Sequence, residues 1–127
     1  GEFRSVSQTL ATAVEYNIPA VWIILNNYAF NIITLYQLRH FERSFATEFK
    51  TVDGHPYNPD FVAMARAYGA EGRRIEKPEQ FKSALAEAIA ANVPYVLDVV
   101  VTQQPHLRSS GYWDANRFIK LGWNTKA

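Results

Sequence analysis

There is no cysteine among the 127 residues, which excludes disulfides and thiolate metal sites and fits a cytoplasmic location. Nor is there an excess of charge of either sign. Thirteen basic residues face twelve acidic ones, for a net charge of +1. The basic residues are scattered rather than striped, so the electrostatic footprint that a nucleic-acid partner needs is missing. Long apolar runs are missing too. The longest, Ile18 to Leu25, is interrupted by Pro19 and falls far short of the roughly 20 residues of a membrane span. There is no internal repeat and no low-complexity tract. Gly1-Glu2-Phe3-Arg4 leads straight into a structured segment, without the pattern of a signal peptide. His40, His55 and His106 lack metal-ligand spacing and read as surface or loop residues.

What is there belongs to an ordinary globular protein. Hydrophobic residues make up 48% and charged residues 20%, and the length suits one domain with a modest core. From Ser5 to Tyr16, Val6, Leu10, Ala13 and Val14 recur at helical spacing, with Ser5 or Ser7 available as N-cap. Asn17 and Pro19 stop that helix. Ala20 to Leu25 is an unbroken apolar run, expected to be a parallel strand buried on both faces and ended by Asn26-Asn27. A second helix opens at Asn58-Pro59-Asp60, with Asn58 as the expected cap and Pro59 at the first helical position. Its inner face is Phe61, Val62, Ala65 and Tyr68, and Gly69 closes it. A short strand over Gly72 to Ile75 precedes a helix starting at Lys77-Pro78-Glu79, whose buried face is Phe81, Leu85, Ala88 and Ile89. After Pro94, Tyr95 to Val101 is another buried-strand candidate. This alternation predicts an α/β fold, a parallel sheet covered by helices.

Two stretches break the rhythm. Phe30 to Tyr57 starts as a short helix (Ile32, Leu35, Tyr36, Leu38) and continues as a long loop with a turn at Asp53-Gly54. Glu15 and, in that loop, Glu48 read as solvated. The tail, residues 102–127, carries Tyr112, Trp113, Phe118 and Trp123 without periodicity. Aromatics in that number are expected to lie against another surface, such as a neighbouring subunit. The expected division is a domain over residues 1–101 followed by this tail.

The ordered series Leu10-Ala11-Thr12-Ala13-Val14-Glu15-Tyr16, Asn17-Ile18-Pro19, Asn26-Asn27, Asn58-Pro59-Asp60-Phe61-Val62, Ala67-Tyr68-Gly69-Ala70, Ile75-Glu76-Lys77-Pro78-Glu79 and Val96-Leu97-Asp98-Val99 resembles the thiamin-diphosphate-dependent enzymes of the acetolactate synthase and 2-oxo-acid decarboxylase type. The likeness covers Gly1 to Val101 and corresponds to the C-terminal, diphosphate-binding domain of that family, without its first strands. Members carry Gly-Asp-Gly at the end of one strand and Asn-Asn at the end of the next, where ligands of open α/β sheets bind. With Gly1 as the last glycine of Gly-Asp-Gly, Asn27 falls on the metal-binding Asn.

The resemblance implies thiamin diphosphate and Mg2+ as cofactors, the ion taking hard oxygen ligands in octahedral array. Asn27 would supply its amide oxygen and Ala29 its backbone carbonyl. The amides of Gly1 and Glu2 would face the phosphate from a helix start, with backbone groups at Asn31 and Ile32 supporting it from the other side. The activity implied is cleavage or formation of a C–C bond next to a carbonyl, by an acetolactate synthase-like carboligase or a 2-oxo-acid decarboxylase, with the cofactor as electron sink. The substrate would be a 2-oxo acid or a related carbonyl compound, and the enzyme a homodimer or homotetramer with further N-terminal domains. Thr9 and Asn31 depart from the family, whose members often carry Glu at the first position and Gly or a small residue at the second. The aspartate ligand would stand before Gly1, and the glutamate that activates the cofactor would come from another domain. No catalytic residue is therefore assigned within the chain, which alone is expected to bind weakly and turn nothing over. The alternative is a non-catalytic α/β binding or oligomerisation module that kept the fold.

Overall fold

The computed structural model describes residues 2–102, the side chain of Glu2 excepted. The aromatic tail expected to cover another surface lies outside the described residues, as does Gly1. The chain begins with two short helices, α1 (Glu2–Val6) and α2 (Thr9–Glu15), and then forms β1 (Val21–Asn26). A longer helix, α3 (Asn31–Phe41), follows, and α4 (Phe61–Ala67), β2 (Glu71–Ile75), α5 (Glu79–Ala91) and β3 (Tyr95–Val100) complete the order. The three strands are parallel, in the order β1-β3-β2. This is the α/β architecture that the alternation of apolar patterns implies.

β3 is central because both of its faces find cover. Val96 points into a core built by Phe3, Leu10, Phe61, Ala65 and Ala70, with Trp22 and Ile24 against it. Tyr95 and Leu97 point the other way, into Ile75, Ala84 and Ala88, with Val21, Phe81 and Leu85. Alternate residues of one strand thus feed two cores. Gly72 on β2 is part of the fit: a Cβ there would stand 3.3 Å from Val62 Cγ1 and 3.3 Å from the Val96 carbonyl.

Several expectations need correction. The helix over Ser5 to Tyr16 is two helices, broken where Thr9 Oγ1 donates to the Val6 carbonyl at 2.7 Å. Ser5 lies inside α1, and the residue capping α2 is Gln8, with no side-chain cap bond. β1 is not buried on both faces. Among the described residues it stands at the edge of the sheet, and its residues on the α5 side, Ile23 and Leu25, are 44% and 66% exposed; α5 lies over β3 and β2 instead. The cap of α4 is Asp60, not Asn58: its carboxylate accepts from the Val62 and Ala63 amides at 3.0 and 2.9 Å. Tyr68 and Ile89 are exposed, and the small Ala84 and Ala88 form the closest-packed stripe of α5.

Gly69 does close α4. It adopts φ +87° while its amide bonds Arg66 and the Ala70 amide bonds Ala65, the paired bonds of a Schellman ending. The 30–57 stretch is more ordered than a loop. After the 11 residues of α3, antiparallel bridges join Ala29 to Glu48 and Lys50 to Pro56. Between the latter two, Gly54 turns the chain at φ +84° and its amide bonds the Thr51 carbonyl. Ile32, Tyr36 and Leu38 remain exposed along α3, and Thr34 is its buried residue.

Candidate diphosphate and metal site

Among the described residues, two of the four buried polar side chains, Asn26 and Asp98, lie in the C-terminal halves of β1 and β3. Asp98 is 1% exposed on β3, and a buried carboxylate has to be met by donors. Two meet it. Asn26 Nδ2 donates to Oδ1 at 2.9 Å, and Arg74 Nη1 donates to Oδ2 at 2.7 Å. The same guanidinium donates from Nη2 to the Tyr28 hydroxyl at 2.7 Å and from Nε to Glu76 at 3.1 Å. The Tyr28 bond pushes the Arg74 pKa above its already high ordinary value; partial burial opposes this, and Glu76 and Asp98 reinforce it. Arg74 is a fixed cation.

The chain of bonds continues on the other side. Asn58 Nδ2 donates to Asn26 Oδ1 at 2.5 Å, and Arg4 Nη2 donates to Asn58 Oδ1 at 2.5 Å. Arg4 also lies 4.0 Å over the Phe49 ring, a cation–π contact. Phe49 in turn meets Phe30 edge-on at 4.7 Å, just before α3 begins. Polar and aromatic contacts therefore link the start of α1 to the start of α3, with the end of β1 between them.

Asn27 follows β1 directly and is half-buried. Its Oδ1 accepts from the Ala29 amide at 3.2 Å, closing a small turn. Tyr28, in the middle, sits at φ +55°, a left-handed conformation uncommon for an aromatic residue. Ala29 is buried and held in the bridge to Glu48. One groove of about 480 Å³ is lined by Phe3 and Val6 of α1, by Trp22 to Leu25 of β1, and by Asn27 and Ala29. Asn31 and Ile32 open α3, half-buried and exposed respectively. Phe30 caps that helix without a side-chain bond, so the first amides of α3 have no side-chain acceptor from the cap. Glu2 opens α1. Asn27, Ala29 and α1 thus share a groove, while Asn31 and Ile32 start the helix that follows the turn.

The donor set suits a hard cation. An amide oxygen has two lone pairs, so Asn27 Oδ1 keeps one after accepting from Ala29. A side-chain amide and a backbone carbonyl are both oxygen donors of the kind Mg2+ takes. They are neutral, and among the described residues no cluster of three or more His, Cys, Asp or Glu could hold a metal. The compensating negative charge has to come from a ligand and from residues outside this turn.

Arg74 carries no local signal in the sequence, where Asn26 reads as half of a turn, Asn58 as a cap and Asp98 as one position in a strand. One signal was available: an Asp inside Tyr-Val-Leu-Asp-Val-Val has to be paired if that run is buried.

The family whose model matches residues 1–99 is the thiamine pyrophosphate enzymes, in their C-terminal TPP binding domain. The chain belongs to this family. Among relatives of this thiamine pyrophosphate-binding domain, a probable acetolactate synthase large subunit of Methanocaldococcus jannaschii is 37% identical over 101 residues, covering 80% of the chain and 16% of the relative. A 3D-(3,5/4)-trihydroxycyclohexane-1,2-dione hydrolase of Bacillus velezensis is 30% identical over 112 residues, 88% of the chain and 17% of the relative. The fold matches a thiamine diphosphate-dependent 4-hydroxybenzoylformate decarboxylase of Rhodococcus jostii RHA1 with a TM-score of 0.63 and 28% identity, over 73% of this chain and 16% of that one. The thiamine pyrophosphate-binding domain thus spans about a sixth of the length of the relatives it matches. Among its described residues, no helix is long and apolar enough to cross a membrane.

Proposed function

We propose that this domain holds the diphosphate end of thiamin diphosphate through Mg2+, within an enzyme that cleaves or forms a C–C bond next to a carbonyl. Asn27 Oδ1 and the Ala29 carbonyl bind the ion. The amides of Gly1 and Glu2, and those of Asn31 and Ile32 at the start of α3, face the phosphate oxygens, because helix N-termini present free N–H groups and a positive dipole end. The observation that carries this reading is the shared groove in which α1 borders Asn27 and Ala29. The uncapped start of α3, two residues beyond Ala29, supports it.

When bound, the cofactor supplies an electron sink for the carbanion left by C–C cleavage. The residues of this chain anchor and orient it. The substrate is a 2-oxo acid or related carbonyl compound, and the reaction is that of a carboligase of the acetolactate synthase kind or of a decarboxylase. Relatives with acetolactate synthase, hydrolase and decarboxylase names all match this domain, which agrees with a part that serves the cofactor and leaves the fate of the carbanion to other residues. The whole protein is taken to be a cytoplasmic homodimer or homotetramer, and residues 1–101 its cofactor-binding unit. By itself this unit lacks an anionic metal ligand at the turn, so weak binding and no turnover are expected of it.

Calorimetric titration of the complete protein with thiamin diphosphate, with and without Mg2+, tests the assignment. Binding should require Mg2+ and fall at least tenfold in Asn27→Ala, as expected for loss of a direct metal ligand. Equal affinity in the variant, or binding indifferent to Mg2+, would remove the site from Asn27.

A further inference from the structure

The turn that carries Asn27 and Ala29 contains a conformation that its own sequence disfavours. Tyr28 adopts φ +55°, where a bulky side chain is crowded and glycine or asparagine would be at ease. The turn persists only if its surroundings hold it. The residue before Asn27 is fixed, since buried Asn26 donates to Asp98 Oδ1. The residue after Tyr28 is fixed as well, by the bridge between Ala29 and Glu48. Tyr28 itself is held at its far end, where its hydroxyl accepts from Arg74 Nη2 at 2.7 Å. Arg74 is anchored on Asp98 Oδ2, so one buried carboxylate secures both sides of Asn27.

We propose that Arg74 is a positioning residue for the metal-binding turn, acting through the Tyr28 hydroxyl to hold Tyr28 left-handed and thereby to aim Asn27 Oδ1 and the Ala29 carbonyl at one cation. The inference rests on the diphosphate reading above. A guanidinium is required for geometric reasons. It serves three acceptors at once, Tyr28, Asp98 and Glu76, from separate nitrogens of a rigid fork, whereas an ammonium is a single point on a flexible stem. Asp98 and Glu76 also neutralise it, so a cation is placed near a divalent metal site without a net positive charge opposing the ion.

Mn2+ binding to the complete protein saturated with thiamin diphosphate, followed by the electron paramagnetic resonance of the free ion, separates the possibilities. Tyr28→Phe keeps the ring and removes one oxygen; Arg74→Lys keeps the charge beside Asp98 and removes the fork. Each should raise the Mn2+ concentration for half-saturation about tenfold, the lower end for groups that orient a metal ligand. The double variant should be no worse than either single one, because both cut the same link. In Tyr28→Phe, which leaves the pairing of Arg74 with Asp98 in place, the unfolding temperature of the cofactor-free protein should remain that of the parent, which a merely structural role would not allow. Unchanged half-saturation in both single variants, while Asn27→Ala loses Mn2+, overturns the positioning role and leaves the site standing. Weakening in Tyr28→Phe that appears only together with a lowered unfolding temperature overturns it too. Wild-type Mn2+ binding in Asn27→Ala withdraws the diphosphate reading and this inference with it.

Discussion

Tyr95 illustrates how one residue ties sheet stability to solvent conditions. Its ring belongs to the core beneath α5, and its hydroxyl donates to Glu87 Oε1 at 3.0 Å. Burial, and secondly the bond to Glu87, push its pKa above the ordinary tyrosine value. The neutral phenol is therefore favoured in the folded state. Its contribution to stability is complete below about pH 10, where the unfolded side chain stays protonated, and is lost as the pH rises towards the folded value. Urea unfolding between pH 9 and 11 should show the parent losing stability more steeply than Tyr95→Phe; parallel profiles would contradict this. Asp98, by contrast, lies inside a polar chain of partners drawn from α1, β1, β2 and the segment before α4. Nothing local in the sequence names those partners. Asn26 is 72 positions away and Arg74 is 24, so the pairing is set by strand order alone. What was legible was the need: a carboxylate in a buried strand requires donors. Asn27 and Ala29 become candidates for another reason: Asn26-Asn27 at the end of a strand is a local pattern whose neighbours run in the family's order, and their role towards a metal stands as proposed.

Helices and strands were readable wherever an element's burial is decided by its own apolar period. α4, α5 and the strands form where those periods place them, and Gly69 ends α4 as its position implies. The cap of α4 was misread because Asn58-Pro59-Asp60 offers two good caps in three residues. Position decided between them: Asp60 directly precedes Phe61 and reaches two amides, while Asn58 turns inward to Asn26. Asp60→Ala should accordingly lower stability by about 1 kcal/mol, the usual loss for a cap, without altering Mg2+-dependent cofactor binding. A thermal unfolding series with parallel titrations checks both parts. A loss of binding equal to that of Asn27→Ala would mean that the end of β1 depends on α4 for more than support. The exposed side of β1 was illegible for a different reason. An apolar run such as Val21 to Leu25 says that a strand is suited to burial, not which element lies over it, and here α5 covers β2 and β3.

For the molecule as a whole, a three-stranded sheet with β3 at its centre brings three separate features to one end. These are the start of α1, the turn after β1 and the start of α3, linked by the contacts running from Arg4 through Phe49 to Phe30. Membership of the thiamine pyrophosphate-binding family accounts for the fold, and the oxygen donors and helix starts gathered at this end are the basis on which a diphosphate and a hard cation are proposed to bind there. In the proposed site, the two uncharged oxygens of the turn would not by themselves offset a divalent ion, so the remaining ligands would have to supply the negative charge. The most direct test is anomalous diffraction from crystals of the complete protein grown with thiamin diphosphate and Mn2+ in place of Mg2+. The account predicts one strong peak within about 2.2 Å of both Asn27 Oδ1 and the Ala29 carbonyl, close to the oxygen distances of such hard ions, with the diphosphate between the starts of α1 and α3. A bound cofactor whose metal peak lies away from Asn27 and Ala29 would contradict it.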